Sequence, residues 1–129
     1  VMGNEEKRAW LYCRCASAKD VAWTLDCQEQ RLRKFCEDKG IQIVGISRIH
    51  GSGTRMTEEL IKPTLTAAKS GKANLLVMTS IDRLSRKLPL LNALLLRFER
   101  YGMTVVTVAN GVIEPYFRPE YPNEQQMQL

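Results

Sequence analysis

Ala9-Trp10-Leu11-Tyr12-Cys13-Arg14-Cys15 is an apolar run broken only by Arg14. Such a run is what a strand shows when helices cover both faces of a parallel sheet. The residues that follow repeat the theme. Leu25, Leu32, Phe35 and Cys36 recur at helical spacing between Thr24 and Lys39, with Thr24 or Asp26 as a start and Gly40 as a stop. Ile41, Ile43, Val44 and Ile46 predict a second strand, and the polar, glycine-containing stretch from Ser47 to Lys62 a long loop.

Pro63 suits the first turn of a helix that Gly71 ends, with a separate short turn over Thr57–Ile61 as an option. Asn74–Thr79 is a third strand. Lys87–Tyr101 is an apolar helix with Pro89 near its start and Gly102 beyond its end, and Met103–Val108 is a fourth strand. Asn110-Gly111 marks a turn, and Val112-Ile113 offers a short edge strand. The expected fold is α/β, a three-layer, mainly parallel sheet of four to five strands with helices on both faces, flavodoxin-like in general shape.

A chain of 129 residues, 44% hydrophobic, suits one domain, read as residues 1–109 followed by an irregular, proline-punctuated tail at 110–129. Its longest apolar stretches fall short of the ~20 residues that span a bilayer, and no leader opens it, so a cytoplasmic protein with no membrane partner is expected. Cys13, Cys15, Cys27 and Cys36 lack paired metal-ligand spacing, and His50 is the single histidine. Buried free thiols are expected, with no metal and no cofactor. The net charge of +5 is compatible with a polyanionic partner but does not by itself name one.

Two strings carry chemistry. Tyr12-Cys13-Arg14-Cys15-Ala16-Ser17 ends the first strand, and Asp82-Arg83-Leu84-Ser85-Arg86 follows the third. In open parallel sheets ligands bind beyond the carboxyl ends of the strands. Alone, the second string reads as a solvated charge cluster at a helix start. Two arginine-bearing strand ends on one rim instead predict a phosphate site, since guanidinium forks bind phosphate oxygens in pairs.

These strings, with Gln28 in Leu25-Asp26-Cys27-Gln28, resemble the catalytic domain of the serine site-specific recombinases, the resolvase/invertase family; the resemblance covers roughly Ala9 to Val108. It implies a resolvase-like fold and metal-independent cleavage and rejoining of double-stranded DNA through a phosphoserine link. Arg14, Arg83 and Arg86 would hold the scissile phosphate, Asp82 would orient them, and Gln28 would stand near the site. Such domains work as homo-oligomers in a full-length protein with a long helix and a DNA-binding domain, neither of which is visible here. The chain is therefore read as a fragment of a larger recombinase or a reduced relative.

The departures bear on activity. In strict register with the family's Tyr-x-Arg-Val-Ser, Ala16 takes the nucleophile position. Ser17 would point away along a continuing strand, and would serve only if the strand stopped at Cys15 and the chain turned. Otherwise Ser17 is an ordinary loop hydroxyl satisfying backbone groups. Where the family has an acid this chain has Arg48 or Ile49, and Lys62-Pro63 replaces Arg-Pro, leaving Lys62 as a point charge for phosphate. An impaired recombinase catalytic domain is the expectation; the alternative is a non-catalytic DNA-associated or oligomerisation module. A flavodoxin-like binder of a small phosphorylated ligand is disfavoured, because no glycine-rich cradle follows the first strand.

Overall fold

The computed structural model describes residues 6–17, 19–51 and 58–119. In chain order these form β1 (Arg8–Cys15), α1 (Val21–Lys39), β2 (Gln42–His50), α2 (Glu58–Lys69), β3 (Leu75–Met78), a 3-10 turn (Ile81–Arg83), α3 (Leu88–Arg100), β4 (Thr104–Thr107) and β5 (Gly111–Ile113). The strands lie in the order β2-β1-β3-β4-β5. The first four are parallel, and β5 returns antiparallel along β4 from the Asn110-Gly111 turn. The expected architecture is the one observed.

Alternation along β1 divides the interior. Ala9, Leu11, Cys13 and Cys15 face α1 and pack with Leu25, Leu32 and Cys36. Trp10 and Tyr12 face the other side, where Ile61 and Leu65 of α2 and Leu91, Leu94, Leu95 and Phe98 of α3 close the larger core. Each leucine buried in this way contributes about 1.5–3 kcal/mol relative to exposure. The four cysteines are free thiols, and three of them, Cys13, Cys15 and Cys36, are buried. Among the described residues no helix is long and apolar enough to cross a membrane.

Three local expectations need correction. Helix α1 begins at Val21 rather than Thr24: Asp20 stands at its N-cap in left-handed backbone and gives no side-chain cap, while Asp26 is drawn into an ion pair with Arg48. The stop at Gly40 holds, its φ of 67° being the conformation that lets the chain turn into β2. Strand β2 does not end at Ile46. It runs to His50, pairing with β1 as far as Cys15, so Ser47–His50 is strand and not loop. As the sheet's edge strand it tolerates outward polar side chains at Arg48 and His50 between buried Ser47 and Ile49. Pro63 lies within α2, on its exposed side, because the helix already starts at Glu58; Thr57 lies outside the described residues.

One close approach fixes the β1–β2 register. The pairing skips a residue between Ala9 and Trp10, a bulge, and the Trp10 ring lies directly across Gly45. A Cβ at Gly45 would stand 2.0 Å from a ring carbon. The Trp10 indole N–H then donates to Ser47 Oγ at 2.8 Å, which in turn shares a hydrogen bond with Thr64 Oγ1 of α2.

Candidate active site

Strands β1 and β3 are parallel neighbours, so the end of β1 and the turn after β3 meet on one rim. Arg14, next to the last residue of β1, is 2% exposed and sends its guanidinium along that rim. Its Nε donates to the Arg83 carbonyl, its Nη2 to the Asp82 carbonyl at 2.6 Å, and its Nη1 to the Gly51 carbonyl at 2.9 Å. One side chain therefore ties the end of β1 to the loop after β2 and the turn after β3. Burial holds the Arg14 pKa below the ordinary arginine value, and Arg83 and Arg86 push in the same direction.

The backbone of Arg14 is held as tightly as its side chain. Pairing of β1 with β3 covers only Ala9 to Leu11, so the Arg14 N–H and C=O find no β3 partner. Gln28 supplies both: its Oε1 accepts from Arg14 N at 3.1 Å and its Nε2 donates to Arg14 O at 2.9 Å. Gln28 reaches that position because it sits on the buried stripe of α1 between Leu25 and Leu32. It is a positioning residue for β1.

Asp82, Arg83 and Arg86 line the turn after β3. Arg83 Nη1 donates to Arg14 O at 3.2 Å, and its Nε is the only enclosed side-chain polar atom among the described residues with no hydrogen-bond partner. Asp82 accepts a hydrogen bond from Ser80 Oγ on one carboxylate oxygen, and its other oxygen stands 3.9 Å from Arg86 Nη2. The Ser80 bond, then the two arginines, hold the Asp82 carboxyl below the usual range against the effect of partial burial. Arg86 is the outermost, its side chain 68% exposed. The rim thus presents clustered guanidinium charge with a single paired carboxylate, an arrangement suited to an anion.

Strand β1 stops at Cys15, and Ala16 and Ser17 follow as exposed, non-strand residues. The Ser17 hydroxyl accepts a hydrogen bond from the Lys19 N–H at 3.0 Å. The other sequence candidates are more dispersed. Ile49 is buried in the α2–α3 core. Arg48 is taken up by α1, pairing with Asp26 at 2.7 Å and Glu29 at 2.6 Å. Lys62 is exposed on α2, lining a groove with Lys69, Arg97 and Tyr101. His50 is exposed at the end of β2. No group of three or more His, Cys, Asp or Glu side chains among the described residues is placed to hold a metal.

Sequence reading missed two contributors to the site, Gly51 and Ser80, and a clamp elsewhere in the fold, Asn92. Gly51 offers the site only a carbonyl, which carries no side-chain signature. Ser80 precedes Asp82 by two residues at the N-cap of the 3-10 turn, a spacing typical of short local polar contacts that was readable. Asn92 of α3 clamps the segment after β5, accepting from the N–H groups of Tyr116 and Phe117 and donating to the Phe117 carbonyl at 2.7 Å.

The family model described as the resolvase N-terminal domain matches residues 9–128. Among solved structures, the N-terminal catalytic domain of TP901-1 integrase superposes with a TM-score of 0.72 at 19% identity, covering 81% of this chain and 79% of that one. The C-terminal catalytic domain of ISC1926 TnpA, an IS607-like serine recombinase, gives 0.71 at 18% identity over 94% and 75% of the two chains. A resolvase family site-specific recombinase from Streptococcus pneumoniae gives 0.70 at 20% identity over 82% and 74%. At these identities the superpositions speak for the fold. No curated protein is similar enough in sequence to count as a match.

Proposed function

The chain belongs to the resolvase N-terminal domain family, and from that premise we propose that it is a recombinase catalytic domain whose rim engages the DNA backbone but whose covalent step is impaired. In this reading the catalytic unit does not stop at residue 109 but takes in β5, which pairs with β4 through Ile113, and the rest of 110–129 leads out of it. The substrate is double-stranded DNA in the cytoplasm, met by a homo-oligomer of the full-length protein, with no metal or cofactor. Arg83 and Arg86 contact the phosphate, with Asp82 orienting Arg86. Arg14 acts through the loops it ties and through its charge. The guanidinium groups gathered on this rim, with Asp82 paired to Arg86, support an anion here.

In the family's reaction a serine Oγ bonds to phosphorus and a deoxyribose oxygen leaves, and guanidinium charge stabilises the five-coordinate transition state. The observation that carries the impaired reading is the end of β1. Ala16, a methyl, stands in the nucleophile register, while the Ser17 hydroxyl is engaged by the Lys19 N–H. Loss of the attacking oxygen removes this route entirely, because the electrostatic stabilisers then have nothing to act on. One observation favours a second reading: the strand does stop at Cys15, the condition under which Ser17 could turn toward the rim.

The test is a denaturing gel for protein–DNA adduct on nicked duplex substrates, with the chain fused to a sequence-specific DNA-binding domain. No adduct is expected from the natural sequence. Ala16→Ser combined with Lys62→Arg restores at least trace adduct. Adduct from the natural sequence that disappears in Ser17→Ala overturns the impaired reading and makes Ser17 the nucleophile.

A further inference from the structure

The two faces of the sheet are not equally covered. Helices α2 and α3 share one face, whereas among the described residues α1 alone serves the other, packing on β1, β2 and β3. Beside α1, over β4 and β5, a groove of about 530 Å³ remains. Phe35, Leu75, Val106 and Val108 form its apolar floor, and Lys7 and Lys39 stand on its rim. Lys39 lies over the Phe35 ring, its Nζ 5.2 Å from the centroid. Among the described residues no carboxylate lines the groove. The adjoining hollow shares Phe35 and Val108 and adds Arg31 and Lys34; its one acid, Asp38, is already paired with Lys34.

We infer that this groove docks an acidic amphipathic helix of a partner protein. Two strands at about 4.8 Å spacing leave a strip about one helix diameter wide, so the vacancy has the shape of a second helix beside α1. The floor requires an apolar stripe, and the rim requires carboxylates on the flank of that stripe. Duplex DNA satisfies the rim but has no apolar stripe for the floor. A second copy meeting this face symmetrically brings the same lysines against these and repels. None of the rim arginines lines the groove, so docking here leaves the phosphate site open.

Fluorescence anisotropy with a labelled synthetic peptide of about 18 residues, leucine on one helical face and glutamate on the flanks, tests the inference. The acidic peptide is expected to bind at least about tenfold more tightly than its lysine-for-glutamate counterpart. Val108→Asp, at the floor, and Lys39→Glu, at the rim, are each expected to weaken it about tenfold, and Lys39→Glu to narrow the preference over the lysine peptide. Far-UV circular dichroism matching the parent verifies that each variant folds, and the exposed Lys39→Glu keeps the test decisive if Val108→Asp does not. Equal binding of the two peptides overturns the proposal. So does full displacement by duplex DNA, which makes the groove a nucleic-acid surface. A concentration-dependent dimer abolished by Lys39→Glu also overturns it, assigning the face to a second copy.

Discussion

Replacing Arg14 by lysine separates its structural role from any contact it makes with phosphate. The guanidinium reaches three carbonyls on two loops through three different nitrogens, and a lysine ammonium, a single point on a flexible stem, holds at most one of them at similar geometry. Hydrogen bonds from a charged donor contribute about 1.5–3 kcal/mol each, so two lost bonds set an upper range of about 3–6 kcal/mol. All three bonds are only partly buried, and water recovers part of that loss, leaving an expected destabilisation of about 2–4 kcal/mol. In a domain of this size that lowers Tm by about 6–16 °C. The assay is urea unfolding followed by circular dichroism, with Arg86→Lys as control. Arg86 is mostly exposed, and its substitution stays within about 0.5 kcal/mol. A loss below about 1 kcal/mol for Arg14→Lys, indistinguishable from the control, refutes the assignment of Arg14 as the tie between the loops.

Gly45→Ala forces a methyl into the Trp10 ring, and overpacking of this kind costs about 1–3 kcal/mol; equal midpoints for variant and parent in urea unfolding would contradict it. Gln28→Leu leaves the Arg14 N–H without its partner inside the protein, an expected loss of about 1–3 kcal/mol, read in the same assay and absent if the contact is incidental. Burial pushes the Cys13 thiol up to about 11 and raises Cys36 as well, so a thiol reagent at pH 8 is expected to modify half-buried Cys27 well before either of them; simultaneous modification in the native state would count against the packing of α1 on β1. Hydrogen bonds from Arg33 and Arg48 hold the Glu29 carboxyl below the usual range. Its contribution is therefore present above the unfolded glutamate pKa of about 4.3 and is lost as pH falls through the lower folded value. The stability gap between parent and Glu29→Gln is expected to be flat from neutral pH to about 5 and to close at lower pH; a gap that widens in acid would reverse the sign.

The element order, the parallel sheet with helices on both faces, and the meeting of Arg14 with Asp82, Arg83 and Arg86 on one rim were all legible in the residues. Each rests on a local signal: an apolar run such as Leu75–Met78, a helical stripe such as Leu25–Leu32–Cys36, a glycine stop such as Gly40. Arrangement then follows from the few ways such elements pack. What pairs with what was not legible. Strand β2 extends to His50 because β1 offers its backbone that far, and α2 tolerates Pro63 because Pro63 lies on an exposed side. Gln28 is a backbone partner because β3 stops pairing with β1 at Leu11. The guanidinium of Arg14 goes to carbonyls because folding brings Gly51, Asp82 and Arg83 around it, and the face beside α1 stays open because no described helix lies over β4. These features depend on which polar and apolar groups remain unpartnered once the sheet has assembled, and a backbone N–H or carbonyl looks the same at every residue until tertiary structure decides its surroundings.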